Sequence, residues 1–360
     1  MENFIVSARK YRPTTWESVV GQKAITETLK SAIENNHLAQ AFLLTGPRGV
    51  GKTTTARILA KTINKNDLDQ EVSDDEDFAF NIFELDAASN NTVEDIRQLI
   101  DQVRIPPQVG SHKVYIIDEV HMLSSAAFNA FLKTLEEPPE HAIFILATTE
   151  KHKVIPTIIS RCQVFDFQRI NNGDIVGHLH YIAKQEGISA EDDALHTIAQ
   201  KADGGMRDAL SIFDQIVSFS GNTITYKNVI DNLNILDFEF YFKVTDLIVE
   251  QNASGALLLF NKVLEKGFDG HNFIVGIASH FRDLLVASNP QTLSLLETSE
   301  NLKERYLSQA GKCNAEFLLD ALQLLADVDF RYKTSKNQRL LVEVCLMQLS
   351  SIGVGSEKKN

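Results

Sequence analysis

Cysteine is scarce in this chain. Only Cys162, Cys313 and Cys345 occur in 360 residues, too few and too scattered for a disulfide framework or a four-thiolate site, so no zinc is expected. No run approaches the roughly 18 uninterrupted apolar residues of a membrane span. Met1 to Lys10 lacks the apolar core of a secretory signal, so the sequence predicts a cytoplasmic protein with no membrane partner. Basic residues are outnumbered, 35 Lys and Arg against 48 Asp and Glu, for a net charge of −13. That sign argues against a whole surface held to nucleic acid by counterion release, so any such contact must be local. Repeats of about 20 to 50 residues are also missing, which removes solenoids and propellers.

What remains is an ordinary globular composition, 44% hydrophobic and 23% charged, in a chain long enough for two or three domains at about 100 to 200 residues each. Ala41 to Leu44 form a short apolar run that stops at Thr45-Gly46. Helical spacing follows, with Ala56, Leu59, Ala60 and Ile63 at i, i+3, i+4, i+7. Asn81 to Asp86, Lys113 to Asp118 and Ala142 to Thr148 read as further buried strands separated by helical segments. That alternation predicts an α/β fold, a parallel sheet with helices on both faces. Pro106-Pro107 and Pro138-Pro139 end the helices before them. After about residue 168 the strand signal fades. Leu318, Ala321, Leu322, Leu325 and then Val342, Cys345, Leu346, Leu349 fit the helical template, which makes Cys345 a core residue. Turns are expected at Asn171-Asn172-Gly173, Asp203-Gly204-Gly205 and Ser220-Gly221-Asn222. The predicted organisation is an α/β module over 1–168, a small helical domain over 169–236, a larger helical one over 237–352, and a frayed tail over 353–360.

Gly46-Pro47-Arg48-Gly49-Val50-Gly51-Lys52-Thr53 matches G-x-x-x-x-G-K-[ST] between a strand and a helix, where a phosphate loop must sit. Its glycines turn backbone N–H groups toward phosphate oxygens, Lys52 supplies a charge at the β/γ-phosphates, and the Thr53 hydroxyl suits Mg²⁺. Val114 to Glu119 is an apolar strand ending in two acids. Asp118 can hold Mg²⁺ through water and Glu119 can polarise an attacking water, so hydrolysis rather than binding alone is expected. Ala142 to Ala147 ends in Thr148-Thr149-Glu150, whose hydroxyls can reach a γ-phosphate or that water. Arg161, after the extended Pro156 segment, and Arg207, opening a helix, are the remaining candidates. A cation at a helix N-terminus opposes the macrodipole, which hints at an anion beside Arg207.

Further stretches carry more specific information: Ala8-Arg9-Lys10-Tyr11-Arg12-Pro13, Val20-Gly21-Gln22, Glu84-Leu85-Asp86-Ala87-Ala88-Ser89-Asn90, Asp118-Glu119-Val120-His121-Met122-Leu123, Thr134-Leu135-Glu136-Glu137-Pro138-Pro139, Ser160-Arg161-Cys162 and Gly205-Met206-Arg207-Asp208-Ala209-Leu210. Together with the phosphate loop they resemble the AAA+ ATPases, and in detail the gamma/tau family of the bacterial DNA polymerase III clamp loader, over nearly the whole chain. The resemblance implies an AAA+ P-loop domain, a helical lid and an all-helical collar that assembles a pentamer. It implies an ATP site of Tyr11, Arg12, Pro13 and Val20 near adenine and ribose, Gly46, Pro47, Arg48, Gly49, Val50, Gly51, Lys52, Thr53 and Thr54 at the phosphates, Thr149 as sensor 1 and Arg207 as sensor 2. Thr53 and Asp118 would hold Mg²⁺, and Lys52, Glu119 and Arg161 would be catalytic, Arg161 as a finger reaching ATP on a neighbouring subunit.

The implied partners are delta- and delta-prime-type subunits and further gamma/tau copies, the sliding clamp, and primer-template DNA, with Arg97 and Thr157 as candidate DNA contacts. Thr92 with Asp95 offers the cap for the helix bearing Arg97. Polymerase and helicase contacts are not expected without further C-terminal domains, and any polymerase label would belong to the holoenzyme, since no second carboxylate site suits two-metal nucleotidyl transfer. One departure stands out. Family members usually insert a four-cysteine zinc module after the first helix of the P-loop domain, but Lys65 to Asp77 here holds seven acids and one lysine, and is read as a solvated loop. A DExH helicase is a rival for Asp118 to His121 but requires a second α/β lobe. A branch-migration motor or helicase loader usually carries a winged helix where this chain has Phe238 to Leu349, and a non-hydrolysing scaffold conflicts with Lys52 and Glu119.

Overall fold

The computed structural model describes residues 5–35, 37–66, 80–296 and 298–352. The acidic stretch from Asp67 onward and the tail from Gly353 fall outside the described residues. The chain divides into two compact units, Met1–Gly187 with Ile198–Gln215, and Ile188–Thr197 with Ile216–Asn360. The expected lid span of 169–236 therefore contributes to both.

The first unit runs α1 (Ser7–Lys10), α2 (Lys23–Glu34), β1 (Ala41–Thr45), α3 (Lys52–Asn66), β2 (Ile82–Asp86), α4 (Val93–Val103), β3 (Lys113–Asp118), α5 (Ser125–Glu136), β4 (Ala142–Thr148), α6 (Pro156–Ile159), β5 (Gln163–Asp166) and α7 (Asn172–Glu186). The five strands form one parallel sheet in the order β2-β3-β4-β1-β5. Strands β1, β3 and β4 are continuous apolar runs because both faces are covered. On one face Ala56, Leu59, Ala60 and Ile63 of α3 join Leu29 and Ile33 of α2 over Phe42, Leu44, Ile116 and Ile145. On the other, Ile96, Leu99 and Val103 of α4 and Phe128, Phe131 and Leu135 of α5 cover Leu43, Tyr115, Phe144 and Leu146. Adjacent strand residues thus feed opposite cores.

Three details differ from the sequence reading. β2 is a half-buried edge strand rather than a buried one, having a partner on one side only. β5, which the sequence did not reveal, forms the other edge, with Phe165 as its one buried side chain. The segment at Pro156 is not extended. Pro156 opens α6 at the position where its fixed φ and missing N–H suit a helix, and the extended residues are Val154 and Ile155 before it. The first expected turn is also a helix start, since Asn171 caps α7 through Asp174 N–H at 2.7 Å. The cap of α4 is as predicted: Thr92 Oγ1 accepts from Asp95 N–H while Asp95 accepts from Thr92 N–H.

Helices α8 (Asp192–Ala202) and α9 (Met206–Ser220) follow, each shared between the units. In the second unit a two-residue parallel pair, β6 (Ser189–Ala190) with β7 (Thr223–Ile224), precedes α10 (Tyr226–Leu233), α11 (Phe238–Val249), α12 (Ala253–Glu265), α13 (Gly270–Ala287), α14 (Glu300–Ala310), α15 (Ala315–Tyr332) and α16 (Gln338–Ile352). Phe273, Ile277, Phe281 and Leu284 of α13 form the centre, packed by Leu318, Ala321 and Leu325 of α15 and by Val342, Cys345, Leu346 and Leu349 of α16. Cys345 is wholly buried, as the helical spacing predicts.

That core encloses the imidazole of His280. Its Nε2 donates to Gln309 Oε1 at 2.8 Å, because Gln309 Nε2 is already donating to the Phe242 carbonyl, and Tyr306 faces Nδ1 at 3.2 Å. Burial pushes the His280 pKa from 6.5 down to about 4. In that window the unfolded chain takes up a proton at this position before the folded chain does, so this contribution to stability is complete above pH 6.5 and is lost as pH falls toward 4. The full loss is about 3 kcal/mol. In His280→Gln, urea unfolding of the second unit should lose that part of its pH dependence; an unchanged slope in this window would show that the histidine is not buried neutral.

Candidate active site

The strand register collects the sequence-predicted residues at one edge of the sheet. Thr45 is level with Thr148, and Ile117 with Leu146, so Gly46, Asp118-Glu119 and Thr149 leave β1, β3 and β4 side by side. This is the carboxyl edge, where parallel sheets hold ligands. The loop after β1 needs its glycines: Gly46, Gly49 and Gly51 have φ of 139°, 77° and 103°. A Cβ at Gly46 would also stand 2.4 Å from the Phe167 carbonyl oxygen. The loop delivers the chain into α3, whose first N–H groups have no helical acceptor and face an incoming anion.

Lys52 is nearly buried, and its Nζ donates to the carbonyls of Gly46 and Pro47 at 2.8 and 2.6 Å, folding the side chain back across its own loop. Burial pushes its pKa below the ordinary lysine value, opposed by Glu119 and Asp118. Thr53 Oγ1 donates to Asp118 Oδ2 at 2.8 Å. Glu119 takes a left-handed φ of 47°, its N–H donating to Asp118 Oδ1 at 3.0 Å. Its Oε2 accepts from Thr149 N–H at 3.2 Å and Thr149 Oγ1 at 3.0 Å.

These groups line a cavity of about 460 Å³ within the first unit. Tyr11, Arg12, Pro13, Val20, Arg48, Gly49, Val50, Gly51, Lys52, Thr53, Thr54, Asp118, Glu119, Thr149 and Arg207 all border it. Gly46 and Pro47 are not among its lining residues; their carbonyls accept from the Lys52 Nζ that is. The sequence did not disclose Val6, Ala8, Arg9, Val19, Ile170, His178, Met206 and Leu210, which complete the wall. The short helix α1 is pinned there by Ser7, whose N–H donates to Asp214 at 2.7 Å and whose hydroxyl does the same, and by Lys10 and Tyr11, both donating to Glu186. Burial, with Glu186, raises the Tyr11 hydroxyl to about 12. Partial burial and the guanidinium of Arg57 lower Arg12, with Glu84 opposing and Arg207 adding to the effect. Arg207 N–H donates to the Gly49 carbonyl at 3.4 Å, and Gly205 Cα would lie 3.3 Å from a Cβ on Gly49, so α9 begins against the loop.

Three predicted residues lie elsewhere. Arg161 is exposed and donates to Glu136 Oε1 at 2.6 Å and to the Thr157 carbonyl at 2.7 Å. Arg97 is exposed on α4, 3.6 Å from Glu94. Thr157 is exposed on α6.

The residues at the sheet edge fit a magnesium nucleotide. The glycine loop turns through positive φ at Gly46, Gly49 and Gly51, and the Thr53 hydroxyl and Asp118 carboxylate are two hard oxygen donors beside Lys52, a set suited to Mg²⁺ taking its other ligands from phosphates and water. Among the described residues no group of three or more His, Cys, Asp or Glu is arranged to hold a metal.

Comparison with known proteins agrees in detail. Residues 21–171 match the family described as DNA polymerase III, delta subunit, and residues 174–222 match that described as DNA polymerase III clamp loader subunit, ATPase lid domain. The chain is 34% identical over 360 residues to DNA polymerase III subunit gamma of Buchnera aphidicola subsp. Schizaphis graminum, covering 96% of this chain and 98% of that protein. The chain belongs to the gamma/tau family of DNA polymerase III clamp-loader subunits. Within that family it is 39% identical over 357 residues to DNA polymerase III subunit tau of Bacillus subtilis, covering 95% of this chain but only 62% of that protein. A solved variant of RuvB from Thermotoga maritima superposes with a TM-score of 0.50 at 20% identity, over 67% of this chain and 80% of that one, and shows the shared AAA+ fold.

The crowding at Gly46 generates a test. Gly46→Ala combines an unfavourable φ with a contact to backbone that cannot swing away, and should destabilise the first unit by about 2 kcal/mol. Denaturant unfolding measures this; a change near zero would mean that the loop is not held against Phe167.

Proposed function

We propose that this gamma/tau-family subunit is the ATP-driven motor of a clamp loader, binding and hydrolysing ATP to open a sliding clamp and place it on primer-template DNA. The observation that carries the reading is the convergence of Lys52, Thr53, Asp118, Glu119 and Thr149 on one cavity at the carboxyl edge of the sheet. When bound, MgATP supplies the phosphoanhydride to be broken and the metal charge that stabilises its departing phosphates. Lys52 exchanges the loop carbonyls for phosphate oxygens. Thr53 and Asp118 would hold the metal, and the N–H groups at the start of α3 would hold the phosphate chain. Glu119 accepts the proton of the attacking water, oriented by Thr149. Tyr11, Arg12, Pro13 and Val20 border the adenine and ribose end. Arg207 reaches the γ-phosphate from α9, so ATP would be felt by that helix through the same residue whose amide rests on Gly49.

Arg161 borders no part of the cavity in its own chain, which supports a role toward a neighbouring subunit's ATP. Hydrolysis then requires an assembly with delta- and delta-prime-type subunits and further copies of this chain. Arg97 and Thr157, both exposed, are proposed to meet DNA phosphates inside that ring, and the location is cytoplasmic. Among the described residues no helix is long and apolar enough to cross a membrane.

In the assembled complex Lys52→Ala should abolish ATP binding, read by equilibrium titration. Glu119→Gln should bind ATP with near-normal affinity and lose at least about a hundredfold in turnover. Arg161→Ala should leave ATP affinity within about twofold of normal and remove DNA-stimulated turnover, a loss of about a thousandfold by the usual magnitude of such fingers. An isolated monomer that hydrolyses ATP as fast as the complex would overturn the trans role of Arg161.

A further inference from the structure

Two residues beyond Glu119, His121 is folded back beneath it. Its side chain is only 6% exposed, although it sits on a one-turn segment directly after Glu119. Its Nδ1 lies 2.9 Å from Thr148 Oγ1 and 3.3 Å from Glu119 Oε2, and its Nε2 lies 3.5 Å from Glu150 Oε1. Thr148 Oγ1 in turn accepts from Glu150 N–H at 3.0 Å. In the tautomer with its proton on Nδ1, the ring donates to Thr148 Oγ1 and has Glu119 Oε2 beside it at 3.3 Å.

We infer that His121 is a positioning residue for Glu119. Resting on the proposed catalytic role of Glu119, this assigns a task to a side chain that touches neither nucleotide-loop residue nor metal-site residue. Two donors of Thr149, its amide and its hydroxyl, hold Oε2, and the His121 ring stands 3.3 Å from the same oxygen. Only Oε1 is left to act on a water, so the ring fixes which oxygen is the base and in which direction its lone pair points. Thr149 alone cannot do this, because both of its donors approach from β4 on one side. The ring approaches from the segment after Glu119 and opposes rotation about the carboxylate's own side chain. A left-handed backbone at Glu119 makes that support more important, since the residue is held in a conformation that its own chain disfavours. The ring's anchorage to Thr148 and Glu150 also ties the geometry of Glu119 to the end of β4.

The substitutions that test this are His121→Asn, whose amide nitrogen overlays Nδ1, and His121→Gln, whose amide nitrogen overlays Nε2. The full chain is assembled with the delta- and delta-prime-type subunits of its own source, and ATP turnover is measured alongside equilibrium binding of ATP. His121→Gln should lower kcat about tenfold to a hundredfold with KM and ATP affinity within about twofold of normal, whereas His121→Asn should restore most of kcat. Equal loss in both variants would reduce His121 to packing and overturn the assignment, as would no loss or a gain in His121→Gln. Glu119→Gln in parallel separates the two readings: if it still turns over ATP normally, Glu119 is not the base, whatever the histidine variants do.

Discussion

Level carboxyl ends on β3, β4 and β1 are the constraint from which the site follows. Parallel pairing puts the last residue of each strand at one edge, and right-handed crossovers return every helix to a face, so the residues immediately after three strands become neighbours without any loop reaching far. The phosphate loop follows Thr45, the acids end β3, and Thr149 follows Thr148. Slip β3 by one residue and Asp118 would leave the level of Thr53 while every apolar side chain on the strand changed cores. The double-sided core therefore holds the register that the chemistry needs.

Charge is distributed against the average. The whole chain carries −13, yet Lys52, Arg12, Arg48 and Arg207 surround a cavity to which Asp118 and Glu119 are the acids. The lowered pKa of Lys52 expresses a cost of burial that Glu119 and Asp118 only partly offset, and that of Arg12 expresses burial with Arg57 and Arg207 adding to it. A polyphosphate entering there relieves that cost, whereas the acidic remainder of the molecule discourages indiscriminate contact with nucleic acid.

Legibility in the sequence tracked how local each signal was. The loop from Gly46 to Thr53, the acids at Asp118 and Glu119 and the cap at Thr92 each need only neighbours within a few residues; the structure places the first two at strand ends and forms the cap. The strands β1, β3 and β4 were legible because burial on both faces leaves no polar alternation to confuse them. β5 was not, because four residues with one buried Phe165 carry too little pattern. Val6, Ile170, His178 and Leu210 come from separate elements and acquire meaning only when the fold unites them at the cavity. His121 stood inside a quoted motif, but its bond to Thr148 spans 27 positions and no spacing rule announces it.

The contact between Arg161 and Glu136 has a consequence for how such a subunit can be built into a ring. Both partners remain about one-third to one-half exposed, at 33% and 48%, and solvent-facing ion pairs contribute only about 0 to 1 kcal/mol. The guanidinium is thus held in a defined direction at almost no thermodynamic commitment. A stronger anion offered from outside can take it by partner exchange without unfolding anything, so the pair works as a parking place that sets where the arginine waits and yields it cheaply.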